Sequence, residues 1–200
     1  MNPNQTALIL IGYQNDYFAI DGILRQAVEK SLKITDTLMN TIALVKHLVK
    51  TEVLIISTPI LFTPNYDELV EPVGILKTIK EVGAFKRGSK GSETIPELGP
   101  FKNDIIEVPG KKGLNAFSNT KLDAILQNRN IVHIVLAGVV TSICIDSTGR
   151  AAFERGYKVI VLSDCTSGRT PFEQEYWCKE IFPLYAEVMD HNQLLNNINK

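Results

Sequence analysis

The chain has 200 residues, of which 44% are hydrophobic and 22% are charged, and its formal net charge is −1. This is the composition of an ordinary globular protein with enough residues for one well-buried core. No basic block indicates nucleic-acid binding, and no apolar run is long enough to span a membrane. The first six residues lack the basic start of a signal peptide. We therefore expect one cytoplasmic domain over residues 1–200, without nucleic-acid or membrane partners.

Six short apolar segments predict β-strands, at residues 7–11, 53–56, 104–108, 132–137, 158–162 and 186–189. Between them, a stripe formed by Val28, Leu32, Met39, Ile42, Val45 and Val49 predicts a long helix after the first strand. Further helices are predicted at residues 120–126, 142–155, 172–182 and 192–198. From residue 58 to about residue 102 the periodicity fades and five prolines occur, which is typical of a functional irregular region.

This alternation of strands and helices predicts an α/β fold with a single doubly wound parallel sheet of about six strands and helices on both faces. In such sheets, ligands bind beyond the carboxyl ends of the strands. The residues that directly follow the first four strands are therefore the candidates for a functional site.

The three cysteines, Cys144, Cys165 and Cys178, are odd in number and have no paired spacing, so they do not indicate a disulfide framework. Cys144 differs from the other two in its context, because it lies in the first turn of the helix predicted after the fourth strand. Free N–H groups and the helix dipole favour a thiolate there and can hold an oxyanion. After the third strand, Lys111 or Lys112 could place an ammonium beside this thiol and move a proton, although adjacent lysines more often form a solvated loop.

Three spaced motifs, which occur in the order that the family has them, support a family assignment. They are Gly138 to Ile145 with the small residues that follow it, Lys111 six residues before the end of Asn115-Ala116-Phe117, and the opening segment from Ile9 to Phe18. Together they resemble the isochorismatase-like cysteine hydrolase superfamily, and the resemblance extends from Ala7 to Met189.

The resemblance implies that Cys144 attacks an amide or related carbonyl carbon and forms a thioester, with Lys111 as the second catalytic residue. It also implies a cis peptide between Val139 and Val140, and an oxyanion hole made by the N–H groups of Val140 and Cys144. Phe18, Phe62 and Phe117 are candidates for an apolar wall around a small-molecule substrate, or for plain core. Members of this superfamily commonly form oligomers, so we expect a homodimer or larger assembly.

Two departures from the family pattern concern the base and the metal. Gly12 stands where the family has an aspartate that takes the thiol proton, and Asp16 matches a second, structural aspartate. The nicotinamidase branch binds zinc through an aspartate and histidines after the second strand, but residues 57–64 offer none of these ligands. His47, His133 and His191 have no ligand spacing either. We expect no metal and no cofactor.

Two classes of function remain open on the sequence. The first is a thiol-dependent hydrolase of a small amide-like or carbonyl substrate, in which something else replaces the missing aspartate. The second is a non-hydrolytic descendant that binds a small molecule or uses Cys144 in redox chemistry. Retention of Cys144 and Lys111 favours the first class, whereas Gly12 favours the second.

Overall fold

The structure, a computed structural model, describes residues 1–198 and is built on one sheet of six parallel strands in the order β3-β2-β1-β4-β5-β6. The strands are β1 Thr6–Ile11, β2 Leu54–Thr58, β3 Ile105–Glu107, β4 His133–Val139, β5 Lys158–Ser167 and β6 Glu187–Met189. The strand order reverses between β1 and β4, and open α/β sheets bind ligands at such a point. The predicted doubly wound α/β fold is confirmed.

The helices are short, and all but the last lie between strands. They are α1 Asn15–Phe18, α2 Arg25–Thr35, α3 Thr37–Leu48, α4 Gly74–Val82, α5 Leu122–Asn128, α6 Asp146–Phe153, α7 Pro171–Tyr176 and α8 His191–Ile198. Within residues 1–198, none has both the length and the apolar character that crossing a bilayer requires.

Both faces of the sheet are covered, which explains why β1 is apolar at nearly every position. Leu8 and Leu10 join a core cluster that includes residues of α2, α3 and α8. Ala7, Ile9 and Ile11 join a second cluster with residues of α5 and α6. Because successive side chains of a strand point to opposite faces, a strand buried between two layers has no polar side to show.

The prediction of one long helix after β1 is wrong, because the chain breaks at Asp36. Asp36 adopts a left-handed conformation with φ 54°, and Asn40 Nδ2 donates a hydrogen bond to the carbonyl oxygen of Thr35 across the break. The interruption resets the helical phase. Met39, which was placed on the buried stripe, is consequently 64% exposed, while Leu44 and Leu48 are buried.

Gly138 allows β4 to approach β1 closely just before the candidate site. It pairs with Ile11 and has φ +124°, and a Cβ at this position would overlap the carbonyl oxygen of Ile11. The register between β4 and β5 also shifts between Leu136 and Gly138. A side chain at residue 138 would therefore displace the end of β4, from which the chain continues into the segment that carries Cys144.

Candidate active site

Cys144 lies directly after β4, at the switch point of the sheet. The continuous helix predicted from residue 142 begins instead with a π-helical turn, Thr141–Ile145, and α6 follows it. The N–H groups of Ile143 and Ile145 both donate to the carbonyl oxygen of Val140, at 3.1 and 3.2 Å. The peptide predicted to be cis, Val139–Val140, is cis. Single π-helical turns occur often at functional sites, and this one holds Cys144 with only 4% of its surface exposed.

Lys111 is the lysine that reaches Cys144. Its Nζ lies 3.5 Å from Cys144 Sγ and donates a 2.6 Å hydrogen bond to the carbonyl oxygen of Gly113. The side chain is completely buried. The neighbouring Lys112 points elsewhere and pairs with Glu68 Oε1 at 3.3 Å. The structure therefore distinguishes two adjacent lysines that the residue types alone could not.

The protonation of the Lys111–Cys144 pair follows from its surroundings. Within residues 1–198, no carboxylate forms an ion pair with Lys111. Burying an unpaired charge is costly, and among the described residues Cys144 is the ionisable group whose contact with Lys111 can balance an ammonium. The pair is balanced either as ammonium with thiolate or as amine with thiol. Both forms share one proton, and a proton transfer along the contact converts one form into the other.

The structure leaves no room for a side chain at Gly12. This residue has φ +75°, and an added Cβ would lie 2.9 Å from both Cγ2 and the carbonyl oxygen of Val139. The same Cβ would lie 3.5 Å from Cδ2 of Tyr17. The ring of Tyr17 is 3% exposed and fills the space beside Gly12. Sequence reasoning missed Tyr17, and its only signal was its place five residues after Gly12 in the opening motif.

Asp16 does not supply the missing carboxylate. Its Oδ2 accepts a 2.6 Å hydrogen bond from the N–H of Phe85, and a Cβ added at Gly91 would overlap its carboxyl group. Burial raises the pKa of Asp16, and hydrogen bonds from backbone N–H groups act in the opposite direction. Asp16 thus ties the irregular region to α1, which agrees with the structural role expected from the sequence.

Two side chains of α7 brace the turn that carries Cys144. Thr141 Oγ1 donates to Gln174 Oε1 at 2.5 Å, and Ser142 Oγ donates to Glu173 Oε1 at 2.6 Å. Gln174 Nε2 in turn donates to the carbonyl oxygen of Ser163 at 2.9 Å. No local sequence pattern indicates these contacts, because they join side chains about thirty residues apart through the packing of α7.

The three phenylalanines proposed as a substrate wall do not lie together. Phe18 stacks on Tyr13 and lines a cavity of about 540 Å³ that also includes Lys90. Phe62 is fully buried, and its backbone N–H donates to the carbonyl oxygen of Phe85, so it forms core rather than an open wall. Phe117 belongs to the same core cluster as Cys144 and lies on the other face of the sheet from Phe18 and Phe62.

The segment after β2 does not fit the zinc site that the nicotinamidase branch implies. Thr58, Pro59 and Ile60 occupy it, and Ile60 pairs through its backbone with Lys111. Elsewhere in residues 1–198, the side chains of Asp164, Cys165 and His191 come within 4.8 Å of one another. Asp164 Oδ1 accepts the N–H of His191, and Oδ2 lies 2.5 Å from His191 Nδ1. Asp164 thus caps α8, and hydrogen bonding accounts for the cluster.

Comparison with known proteins identifies the family of this chain. The family model described as "Isochorismatase domain" matches residues 6–193. The chain belongs to the isochorismatase family. A curated relative, ureidoacrylate amidohydrolase RutB of Klebsiella pneumoniae, is 30% identical over 204 residues, which cover 94% of this chain and 84% of the relative.

Solved structures of isochorismatase-family proteins share the fold. A cysteine hydrolase from Pseudomonas syringae superposes with a TM-score of 0.84 at 22% identity, covering 100% of this chain and 94% of that one. An isochorismatase-like hydrolase from Alkaliphilus metalliredigens superposes with a TM-score of 0.79 at 27% identity, covering 96% of this chain and 98% of that one. N-carbamoylsarcosine amidase from Thermoplasma acidophilum superposes with a TM-score of 0.72 at 22% identity, covering 94% of this chain and 97% of that one. As in its homologues, hydrolase activity is expected of this chain.

The three cysteines should differ in reactivity, with Cys144 the fastest. Burial, and then the charge of Asp164, raises the pKa of the Cys165 thiol, and burial raises that of Cys178 to about 11. Both thiols should therefore react about 10-fold or more slowly than a free cysteine with neutral iodoacetamide. Mass spectrometry of the labelled peptides at pH 7 measures the three rates.

The two adjacent lysines provide a matched control for this labelling. Lys111→Met removes the ammonium beside Cys144 but keeps most of the buried volume, so it should slow the alkylation of Cys144. Lys112→Met removes an equal charge beside Glu68 and should leave the rate unchanged. Faster labelling of Cys165 or Cys178 in the folded protein would contradict the assignment of Cys144.

Substitution of Gly12 should destabilise the protein without restoring a carboxylate function. A left-handed backbone costs a non-glycine residue about 1–2 kcal/mol, and Val139 must also move. Gly12→Ala and Gly12→Asp should both lower the melting temperature, and Gly12→Asp should hydrolyse no amide faster than the wild type. Gly88→Ala is the control, because Gly88 has φ +82° with open space around it. If Gly12→Ala is no less stable than Gly88→Ala, the crowding at Gly12 is disproved.

Proposed function

We propose that this protein is a thiol-dependent amidohydrolase that cleaves a small amide-like or carbonyl substrate through a covalent intermediate on Cys144. The observation that carries the proposal is the 3.5 Å contact between Lys111 Nζ and Cys144 Sγ at the carboxyl end of β4. A buried amine and a thiol that balance each other's charge form a nucleophile and base pair. Lys111 then takes the role that the family resemblance gives to the aspartate expected at Gly12.

The reaction begins when the thiol proton moves to Lys111 and Cys144 Sγ attacks the carbonyl carbon of the substrate. The new C–S bond leaves negative charge on the carbonyl oxygen, which the N–H groups of Val140 and Cys144 stabilise in this proposal. The C–N bond then breaks, and the departing nitrogen takes a proton from the Lys111 ammonium. The product amine leaves, and a thioester remains on Cys144.

Water completes the reaction by attacking the thioester carbonyl. Its proton passes to the Lys111 amine, the C–S bond breaks, and Cys144 is released as thiolate beside the Lys111 ammonium. One amide and one water give one acid and one amine, and the return of the shared proton from Lys111 to Cys144 restores the starting amine and thiol. General acid–base assistance of this kind contributes about 10²–10⁴-fold in rate.

The names of two similar proteins narrow the substrate class. The relative 30% identical to this chain is named for ureidoacrylate, and a similar structure is named for N-carbamoylsarcosine. Both compounds carry an N-carbamoyl group, whose carbonyl lies between two nitrogens. We therefore place N-carbamoyl compounds first among the amides that this protein should hydrolyse.

The test is hydrolysis of ureidoacrylate, N-carbamoylsarcosine and nicotinamide by four proteins: wild type, Cys144→Ala, Lys111→Met and Lys112→Met. Release of ammonia should be seen with wild type and Lys112→Met. It should be abolished in Cys144→Ala and fall by about 10²-fold or more in Lys111→Met. If the wild type hydrolyses none of them while Cys144 still reacts with iodoacetamide, the non-hydrolytic alternative is favoured.

We also propose that the protein is a homodimer or larger. Large apolar side chains are exposed on its surface, among them Ile20, Val70, Phe172 and Leu184, and contiguous apolar surface commonly marks an interface. Phe172 stacks on Tyr176 of the same helix, so α7 presents an aromatic face. Light scattering at micromolar concentration should give at least twice the mass of one chain. A monomer under these conditions would disprove the proposal.

A further inference from the structure

Val140, whose N–H belongs to the proposed oxyanion hole, lies between two anchored residues. On one side, β4 ends at Val139, which pairs with Ser167 of β5. On the other side, the hydroxyl of Thr141 donates a 2.5 Å hydrogen bond to Gln174 Oε1. Thr141 is completely buried, and Gln174 is 6% exposed. The direction of the Val140 N–H therefore depends on how firmly both neighbours are held.

The side-chain amide of Gln174 is itself held by β5. Its Nε2 donates to the carbonyl oxygen of Ser163 at 2.9 Å and to Thr166 Oγ1 at 3.1 Å. The hydroxyl of Thr166 in turn donates to the carbonyl oxygen of Leu162 at 2.7 Å. Because a backbone carbonyl can only accept, the Nε2 atom must face Ser163, and this leaves Oε1 as the acceptor for Thr141.

A bulge in β5 makes the carbonyl group of Ser163 available to Gln174. The register between β4 and β5 shifts just before Gly138, and Ser163 lies among the extra residues that β5 has there. Bulged residues are left out of the ladder between the strands, and bulges are common beside active sites. The strand β5 therefore holds Val139 through backbone pairing and Thr141 through Gln174.

We propose that Gln174 is a positioning residue that fixes the oxyanion hole through Thr141. This inference rests on the proposed amidohydrolase function. Gln174 acts without touching the substrate, because it holds the residue next to Val140 so that the Val140 N–H points at the developing oxyanion. Donors that are fixed before the reaction need no reorganisation when the charge develops. Loss of the hydrogen bond between Thr141 and Gln174 lets the Val140 peptide move and weakens this stabilisation.

This role predicts a difference between two reactions of Cys144. Iodoacetamide is attacked at a saturated carbon, so the C–S bond forms, iodide leaves, and no oxyanion develops. p-Nitrophenyl acetate is attacked at a carbonyl carbon, so the carbonyl oxygen becomes negative before the C–O bond breaks and nitrophenolate leaves. A misplaced oxyanion hole therefore slows acylation by the ester and spares alkylation, whereas damage to the Lys111–Cys144 pair slows both.

The experiment measures both rates at pH 7 in wild type, Thr141→Val and Thr141→Ser, with Cys144→Ala as the blank for nitrophenolate release. Thr141→Val keeps the side-chain volume but removes the hydroxyl. It should slow single-turnover release of nitrophenolate by about 10–10²-fold and change the alkylation rate of Cys144 by less than about 3-fold. Thr141→Ser keeps the hydroxyl and should therefore keep most of the acylation rate.

Thr6→Val is the matched control. Thr6 is also completely buried, and its hydroxyl donates to the carbonyl oxygen of Asn2 at 2.8 Å, at the amino end of β1 and away from the site. Because it loses the same group and one hydrogen bond, it should lower the melting temperature and leave the ratio of acylation to alkylation unchanged. If this ratio falls equally in Thr6→Val and Thr141→Val, the proposal is overturned.

Gln174→Met tests the hydrogen bond from its other end. It should also slow acylation selectively, and adding Thr141→Val to it should cost less than about a further 3-fold, because the bond is already lost. The double variant leaves no unpaired polar group between the two positions, so it should fold even if Thr141→Val does not. Independent effects that multiply in the double variant would show that Thr141 does not act through Gln174.

The outcomes separate this inference from the proposed function. If the wild type releases no nitrophenolate faster than Cys144→Ala, the thiol hydrolase is disproved and the positioning role fails with it. If the wild type is acylated by the ester but Thr141→Val and Gln174→Met slow both reactions equally, or slow neither, the positioning role alone is disproved and the thiol chemistry stands.

Discussion

The contact between Lys111 and Cys144 is the interaction on which the site depends. An ammonium withdrawn from water needs an anion beside it, and within residues 1–198 the Cys144 sulfur is the ionisable group in contact with Lys111 Nζ. The carbonyl oxygen of Gly113 orients the amine but carries no full charge. A neutral pair therefore contains one shared proton, which is either on Lys111 (ammonium with thiolate) or on Cys144 (amine with thiol). In the proposed mechanism, Cys144 needs no separate base in order to be activated, because its proton has an acceptor 3.5 Å away.

The elements around this pair serve to bring two strand ends together. Gly138 lets β4 pack against β1 without a side chain between them, and this sets the position of the turn that carries Cys144. The backbone of Lys111 pairs with Ile60, which continues from β2, so the lysine is fixed by main-chain as well as side-chain contacts. From the opposite side, Gln174 holds Thr141 of the same turn. The contact between Lys111 Nζ and Cys144 Sγ is thus supported by main-chain pairing on the Lys111 side and by the packing of β4 and α7 on the Cys144 side.

The features that depend on a local sequence pattern were predicted correctly. The features that depend on packing between distant residues were missed. Strands buried on both faces are apolar runs, so all six were located, and the choice of Lys111 over Lys112 followed from motif spacing. The break at Asp36 was missed because the apolar stripe continues on both sides of it, and only the left-handed residue reveals a change of phase. The π-helical turn and its contacts with α7 were missed because they join distant residues. Of the three phenylalanines predicted to line a substrate pocket, Phe62 is fully buried and belongs to the core. Its type could not show this in the sequence, because apolar residues form pocket walls and cores alike.

We propose that Gly12 belongs to a rearranged site, and that it is not simply a loss of the aspartate that the family resemblance implies at this position. A lost carboxylate would leave a gap, yet the backbone of Gly12 is left-handed and Val139 and Tyr17 close the space beside it. The charge balance changes as well. A buried aspartate, lysine and cysteine together are neutral when the lysine is charged and the thiol keeps its proton. Without the aspartate, the same neutrality requires lysine and cysteine to share a single proton. Without the carboxylate one proton acceptor is missing. Lys111 can then be a neutral amine, which is itself a proton acceptor. A new carboxylate at residue 12 would add a negative charge and disturb this balance.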